Sequence, residues 1–442
     1  MKRNILLIIF SAFFILNLSA QSDDELFGGD DDLFFSDDGI IELEDIQTDY
    51  DKKTENLNHG LLFETGSVKI GGSFDLSLTT MTSFPKDKEF KDSLWDTTLS
   101  PTADANITID ARPSENLRMY MKTGISYPYV TKNSAALIGM NFGQANILVS
   151  QDTSLKNMFY IKELFSDFSF GENVSMRFGK QTVTWGVGYF YSPADVINAA
   201  IDPENPTAQV EGPLALRTQI VFPGSQNALW AYIIPDNNFT ATSNFTNYAR
   251  DTALALKGEI ILGGWELGLG TWFKNDYSPR IMTTASGTVF RKISVFGEGV
   301  VAFGQDSEWK NNTEKNIFAQ ATAGLMYNWK TPEITLMGQY FYSGQDDNAL
   351  LDSDPSYAIG KRKGHNAALA VNFGKVVTRN LSGSIYSIMN FTNETLISSA
   401  SLSWSPINEF KLTFGPYLSW IDFEKDPVAS MKITFTLGGG KF

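Results

Sequence analysis

The chain has 442 residues, a net charge of −15 and no cysteine. The lack of cysteine excludes a disulfide framework, a Cys-based zinc site and a lipid-anchored lipoprotein, which needs a cysteine at its mature start. Most of the acidity sits in one segment: residues 22–58 hold fourteen Asp or Glu and two Lys, whereas residues 59–442 carry a net charge of only −5.

In chain order, the first predicted element is a secretory signal over residues 1–20. Lys2 and Arg3 form a positive start, and residues 5–18 form an apolar stretch too short to span a bilayer as a helix. Ser19 and Ala20 offer a small-residue cleavage site before Gln21. An exported chain without cysteine suits a bacterial envelope. Residues 21–58 follow as an acidic arm that repeats an apolar cluster, Leu26-Phe27 and then Leu33-Phe34-Phe35, between acidic blocks. Like charges resist compaction, and so few apolar residues cannot offset the entropy of ordering, so the arm is expected to be disordered in the periplasm. The two clusters are also candidate anchors for a periplasmic partner of residues 22–45, or for a plug in the body of the protein.

From Val68 onward nearly every segment alternates apolar and polar residues with period two, the mark of an extended strand with one greasy and one wet face. In "FKLTFGPYLSW" Phe410, Leu412, Phe414, Pro416, Leu418 and Trp420 share one parity, and Lys411, Thr413, Gly415, Tyr417 and Ser419 the other. The same pattern predicts about eighteen strands, with sixteen as the alternative even count. Their centres fall near residues 74, 108, 121, 165, 176, 218, 231, 256, 270, 284, 299, 322, 338, 369, 385, 400, 415 and 435. Tight connections at 171–173, 224–227, 263–265, 330–333 and 405–409 alternate with longer ones at 128–158, 181–212, 236–247, 305–316 and 344–362. Short turns at one end and long loops at the other describe an all-β, transmembrane antiparallel β-barrel over residues 59–442, with both termini on the periplasmic side.

A secreted β-sandwich is the competing fold, in which the greasy face meets a second sheet. Charged residues make up 19% of the chain, below the roughly 25% of ordinary soluble domains. Trp265, Trp329 and Trp404 fall at strand ends near short turns, and Tyr340, Tyr342 and Trp420 near loops, as in aromatic girdles. Asp104, Asp110, Arg177, Arg217 and Lys411 lie mid-strand on the polar face, which a water-filled lumen tolerates. The greasy face is therefore expected to touch lipid. Pro416 removes a ladder donor from a strand with no free edge, so a bulge is expected near Gly415 and Pro416.

The segment "MRFGKQTVTWGVGYFYSPADVIN" (176–198) resembles a pattern of substrate-specific porins and alginate-export-like outer-membrane barrels, carried by Arg177, Gly179, Lys180, Gln181, Trp185 and Gly186. The terminal Phe442 resembles the aromatic residue read by the barrel-assembly machinery, although "GGGK" before it puts Phe442 on the opposite parity from Phe435 and Leu437, which either weakens that match or implies a bulge. The resemblance implies an outer-membrane channel for passive diffusion of small polar solutes. By analogy with general porins, the loop 181–212 is expected to fold inward and narrow the pore. Asp195, Asp202, Glu204 and Glu211 on that loop would then face Arg177, Lys180 and Arg217 at its base, and Asp104 and Asp110 would line the lumen. Rings of acidic side chains bias a pore toward cations. The alternatives are a barrel plugged by the N-terminal arm for uptake of hydrophobic compounds, and a surface-binding or structural barrel.

No catalytic site is expected. The two histidines, His59 and His365, have no partner that the sequence singles out, and outer-membrane hydrolases need a histidine poised with a Ser or a carboxylate. Glycine-rich stretches lie in strands rather than in the strand–loop–helix setting of a phosphate cradle. No cofactor and no nucleic-acid partner is expected. The expected partners are the lipid bilayer and the assembly machinery.

Overall fold

The computed structural model describes residues 61–127, 159–197, 212–235, 245–344 and 364–441, apart from a few single positions within them. A short strand, β1 (Leu61–Thr65), precedes β2 (Val68–Phe84), β3 (Thr98–Ser114), β4 (Leu117–Tyr127), β5 (Phe159–Phe170) and β6 (Val174–Lys180). Then come β7 (Leu214–Val221), β8 (Ala228–Ile234), β9 (Ala253–Leu262), β10 (Trp265–Phe273), β11 (Arg280–Val289), β12 (Ile293–Phe303) and β13 (Ile317–Trp329). The run ends with β14 (Glu333–Ser343), β15 (Gly364–Gly374), β16 (Leu381–Asn390), β17 (Thr395–Ile407), β18 (Phe410–Trp420) and β19 (Val428–Lys441).

From β2 to β19 each strand pairs antiparallel with the next, and β19 pairs with β2, which closes an eighteen-stranded barrel. Each of the eighteen predicted centres falls inside one of these strands. The strand β1 has no counterpart in the sequence reading. It pairs with the foot of β2 on the edge that β19 leaves uncovered. Among the described residues, closure gives each of the strands β2–β19 a partner on both sides, so that no strand of the ring is an open edge. No helix among the described residues is long and apolar enough to cross a membrane, which says nothing of a β-barrel.

The greasy parity points outward. Phe74, Leu76 and Leu78 on β2, Leu254 and Leu256 on β9, Phe414 on β18 and Phe435 and Leu437 on β19 are all exposed. A sandwich would bury them. Trp329, Trp404, Tyr340 and Tyr342 are exposed near strand ends, in girdle positions.

The bulge expected at Gly415 and Pro416 is absent. Pairing to β17 keeps one register from Tyr417↔Ser399 to Phe414↔Leu402, and pairing to β19 runs unbroken through Pro416↔Met431. Proline costs one ladder bond here, whereas a one-residue slip would turn every wet side chain of β18 toward lipid. The irregularity of this hairpin lies instead between Trp404 and Ile407. The bulge implied before the C-terminus does occur, between Gly438 and Gly440. Gly438 has φ 108°, and a Cβ there would stand 2.4 Å from the Phe74 carbonyl oxygen, so only glycine fits. Beyond the bulge Gly440 pairs with the outward-facing Phe74, which restores even numbers to the outward parity. Phe442 itself lies outside the described residues.

Candidate functional site

The chain leaves β6 into the barrel rather than away from it, and the residues that turn it are those of the porin-like motif. Gly179 has φ 138°, and a Cβ there would lie 2.1 Å from the Leu164 carbonyl oxygen. Gln181 is fully buried. Its Nε2 donates to the Ala215 carbonyl at 3.0 Å, and its backbone N–H donates to the Pro213 carbonyl at 3.1 Å. One side chain thus clips together the departure from β6 and the return into β7.

Three polar side chains on distant strands hold the segment that follows. Lys257 on β9 donates to the Trp185 carbonyl at 2.9 Å and pairs with Glu259 at 2.5 Å. The Glu298 carboxylate on β12 accepts from the backbone N–H groups of Val187 and Gly188, each at 2.5 Å, from Ala194 N–H at 2.9 Å and from the Ser192 hydroxyl at 2.9 Å. Gln339 on β14 accepts from Phe190 N–H at 2.7 Å and donates to the Tyr191 carbonyl at 2.6 Å. Hydrogen bonds to a buried charge contribute about 1.5–3 kcal/mol each. The backbone comes this close because residue 186 is glycine: a Cβ there would stand 2.5 Å from Glu298 Oε1.

Two apolar clusters complete the seat. Val183, Trp185 and Ala194 pack with Tyr232, Ala253, Ala255, Trp272, Met282 and Val300 on β8–β12. Phe190 and Tyr191 pack with Met337, Phe341, Ala368, Ala370 and Ile388 on β14–β16, with the Tyr191 and Phe341 rings stacked at 5.0 Å. Around the three polar side chains that hold the segment, the barrel wall it covers is apolar on its inner face as well as its outer one. Elsewhere its inner face carries hydroxyls and charges. Sequence reasoning missed Lys257, Glu298 and Gln339, yet a signal existed. "ALAL" at the start of β9 and Met337 and Phe341 on β14 put apolar residues on the parity that should be wet, which only something inside the barrel can cover.

Of the residues predicted to line the pore, Asp104, Asp110, Arg177 and Arg217 all lie on the inward parity. The register row Arg118–Asp167–Arg177–Arg217 crosses β4 to β7. Arg118 grips Asp110 at 2.9 and 3.1 Å, and Arg177 grips Asp167 at 2.5 and 3.0 Å while lying 3.8 Å over the Phe165 ring. Arg217 lies 5.3 Å over the Trp230 ring and has no carboxylate partner among the described residues. Asp104 pairs across the strands with Asp75 and accepts from the Ser126 hydroxyl. Lys180 departs from the expectation: it pairs with Leu164 and Leu214, on the outward parity at the loop end of β6. Asp195 lies in the inward segment, one residue past the Ala194 that Glu298 holds. Asp202, Glu204 and Glu211 lie outside the described residues.

No protein-family model matches the sequence, and no curated protein matches it. The fold does have relatives among solved structures, and three of them come from Pseudomonas aeruginosa. OccK3 (OpdO) is 9% identical with a TM-score of 0.50, over 84% of this chain and 95% of its own. OpdK, solved with vanillate, is 8% identical with a TM-score of 0.50, over 84% and 99%. OpdQ is 7% identical with a TM-score of 0.50, over 84% and 97%. At such identities the likeness is one of architecture: the chain shares the closed eighteen-stranded barrel of the Occ porins.

Proposed function

We propose that this protein is a channel of the bacterial outer membrane through which small polar solutes diffuse passively, its lumen narrowed by the segment 181–197. The observation that carries this reading is the grip of Glu298 on that segment through Val187, Gly188, Ser192 and Ala194. A structural barrel has no need to hold a long segment across its interior at the cost of burying a carboxylate. Support also comes from the wet inner face of β2–β5 and β17–β19, from the apolar exterior, and from an architecture shared with porins rather than with enzymes. Both ends of the strand run lie at the short-turn end, which would be the periplasmic one.

The test is single-channel conductance of the purified protein in planar bilayers. Stepwise ohmic current in potassium chloride supports the channel. A folded, heat-modifiable protein that gives no current refutes it. Deletion of residues 22–58 separates this reading from a plugged barrel: current seen only after the deletion would make the arm a hatch.

A further inference from the structure

A single register row crosses six neighbouring strands and carries a hydroxyl at every position. Ser382 on β16 pairs with Ser403 on β17, Ser403 with Thr413 on β18, and Thr413 with Thr434 on β19. Thr434 then pairs with Thr79 on β2, and Thr79 with Ser100 on β3. Directly paired residues share a face. This face is the lumen, because the sequence neighbours Leu78, Leu402, Phe414 and Phe435 are exposed on the outside.

The row also changes height. Ser382 is the second residue of β16, at the short-turn end, and Ser100 is the third residue of β3, at the loop end. Barrel strands tilt, so a row perpendicular to them winds up the wall. This one runs from one mouth to the other. It lies on β16–β19, β2 and β3, whereas the described part of the inward segment packs on β8–β16.

The hydroxyls are near enough to act together. Ser403 Oγ and Thr413 Oγ1 are 2.9 Å apart, and Thr79 Oγ1 and Thr434 Oγ1 are 3.1 Å apart. Neighbouring rows thicken the band with Ser77–Thr102 at 2.5 Å and Ser384–Ser401 at 2.8 Å. Within such a pair one hydroxyl donates, the other keeps its proton free, and lone pairs remain on both. The band therefore offers donors and acceptors at short spacing without charge of its own.

We propose that this row is a track on which neutral polyhydroxylated solutes exchange hydrogen bonds as they cross, so that the channel passes polyols and sugars faster than zwitterions of similar size. The proposal rests on the channel reading above. A polyol presents the same mixture of donors and acceptors and can trade water for wall at each step. Weak binding at many sites is what conduction requires. A zwitterion holds its water through ionic groups that neutral hydroxyls replace poorly.

The experiment uses the full chain reconstituted in lipid vesicles, with swelling rates in xylitol and in glutamine, and potassium chloride conductance measured alongside. The wild type should admit xylitol faster than glutamine. The variant Thr79→Val/Thr413→Val/Thr434→Val, which keeps shape but removes hydroxyls, should lower the xylitol rate by about tenfold, the worth of one or two ordinary hydrogen bonds. Its glutamine rate and its conductance should stay as they are, and the corresponding triple Ser variant should behave as wild type. A conducting wild type that admits both solutes equally overturns the track, even if the valine variant fails to fold. A folded valine variant that keeps its preference for xylitol also overturns it. A wild type without conductance overturns the channel reading, and the track falls with it.

Discussion

The indole of Trp185 lies on the bare backbone of Gly270: a Cβ added to Gly270 would stand 3.0 Å from the indole Cζ2. The inward segment and the wall of β10 are thus fitted by the absence of a side chain. Gly270→Leu should push the indole out of its seat among Ala255, Trp272 and Met282, at an overpacking cost of about 1–3 kcal/mol. The ladder to β9 and β11 does not depend on that side chain, so the barrel should still assemble. Single-channel conductance should rise and tryptophan emission should shift to the red. Unchanged conductance in a folded variant would mean that the segment does not limit the current.

Glu298 offers a second way to loosen the same segment. Glu298→Ala leaves the N–H groups of Val187, Gly188 and Ala194 without their acceptor, at about 1–3 kcal/mol for each group that finds no water. The expected result is a larger and noisier open-channel current. Glu298→Gln keeps one acceptor oxygen and should fall between wild type and Ala. Identical traces for all three proteins would show that the apolar clusters alone hold the segment.

The two faces of β18 predict opposite responses to charge. Phe414 is exposed on the outer face, so Phe414→Arg should cost roughly 2–4 kcal/mol near the bilayer midplane. Thr413→Arg, one residue away on the lumen face, should cost much less. Urea unfolding in lipid vesicles measures both, and equal penalties would contradict a lipid-facing exterior.

Ion selectivity should follow the arginine row. Arg118 and Arg177 each share a carboxylate, whereas Arg217 rests on Trp230. Arg217→Gln therefore removes a charge that no described carboxylate grips directly. The zero-current potential in a salt gradient should move toward cation preference. Asp195→Asn should move it the other way. If neither does, the current passes by another route through the barrel.

Much of this protein is legible from its sequence because strand periodicity is local. Alternation at residues 410–420 needs only the chirality of the chain and the pleat to separate Phe414 from Thr413, and the alternation of short and long connections then orients the barrel. The motif around Arg177, Gln181 and Trp185 likewise marks the place where the chain turns inward. What the sequence alone left undecided depends on pairs that meet only after closure. Glu298 meets Ala194 104 residues away in the chain, and Thr434 meets Thr79 only because β19 closes on β2. Pro416 shows the same limit in reverse: its local cost suggests a bulge, but the register on both sides keeps the strand straight. Period two decides which face of a strand is wet. Only the closed barrel decides which wet residues share a row, and which part of the inner wall is dry because the chain itself covers it.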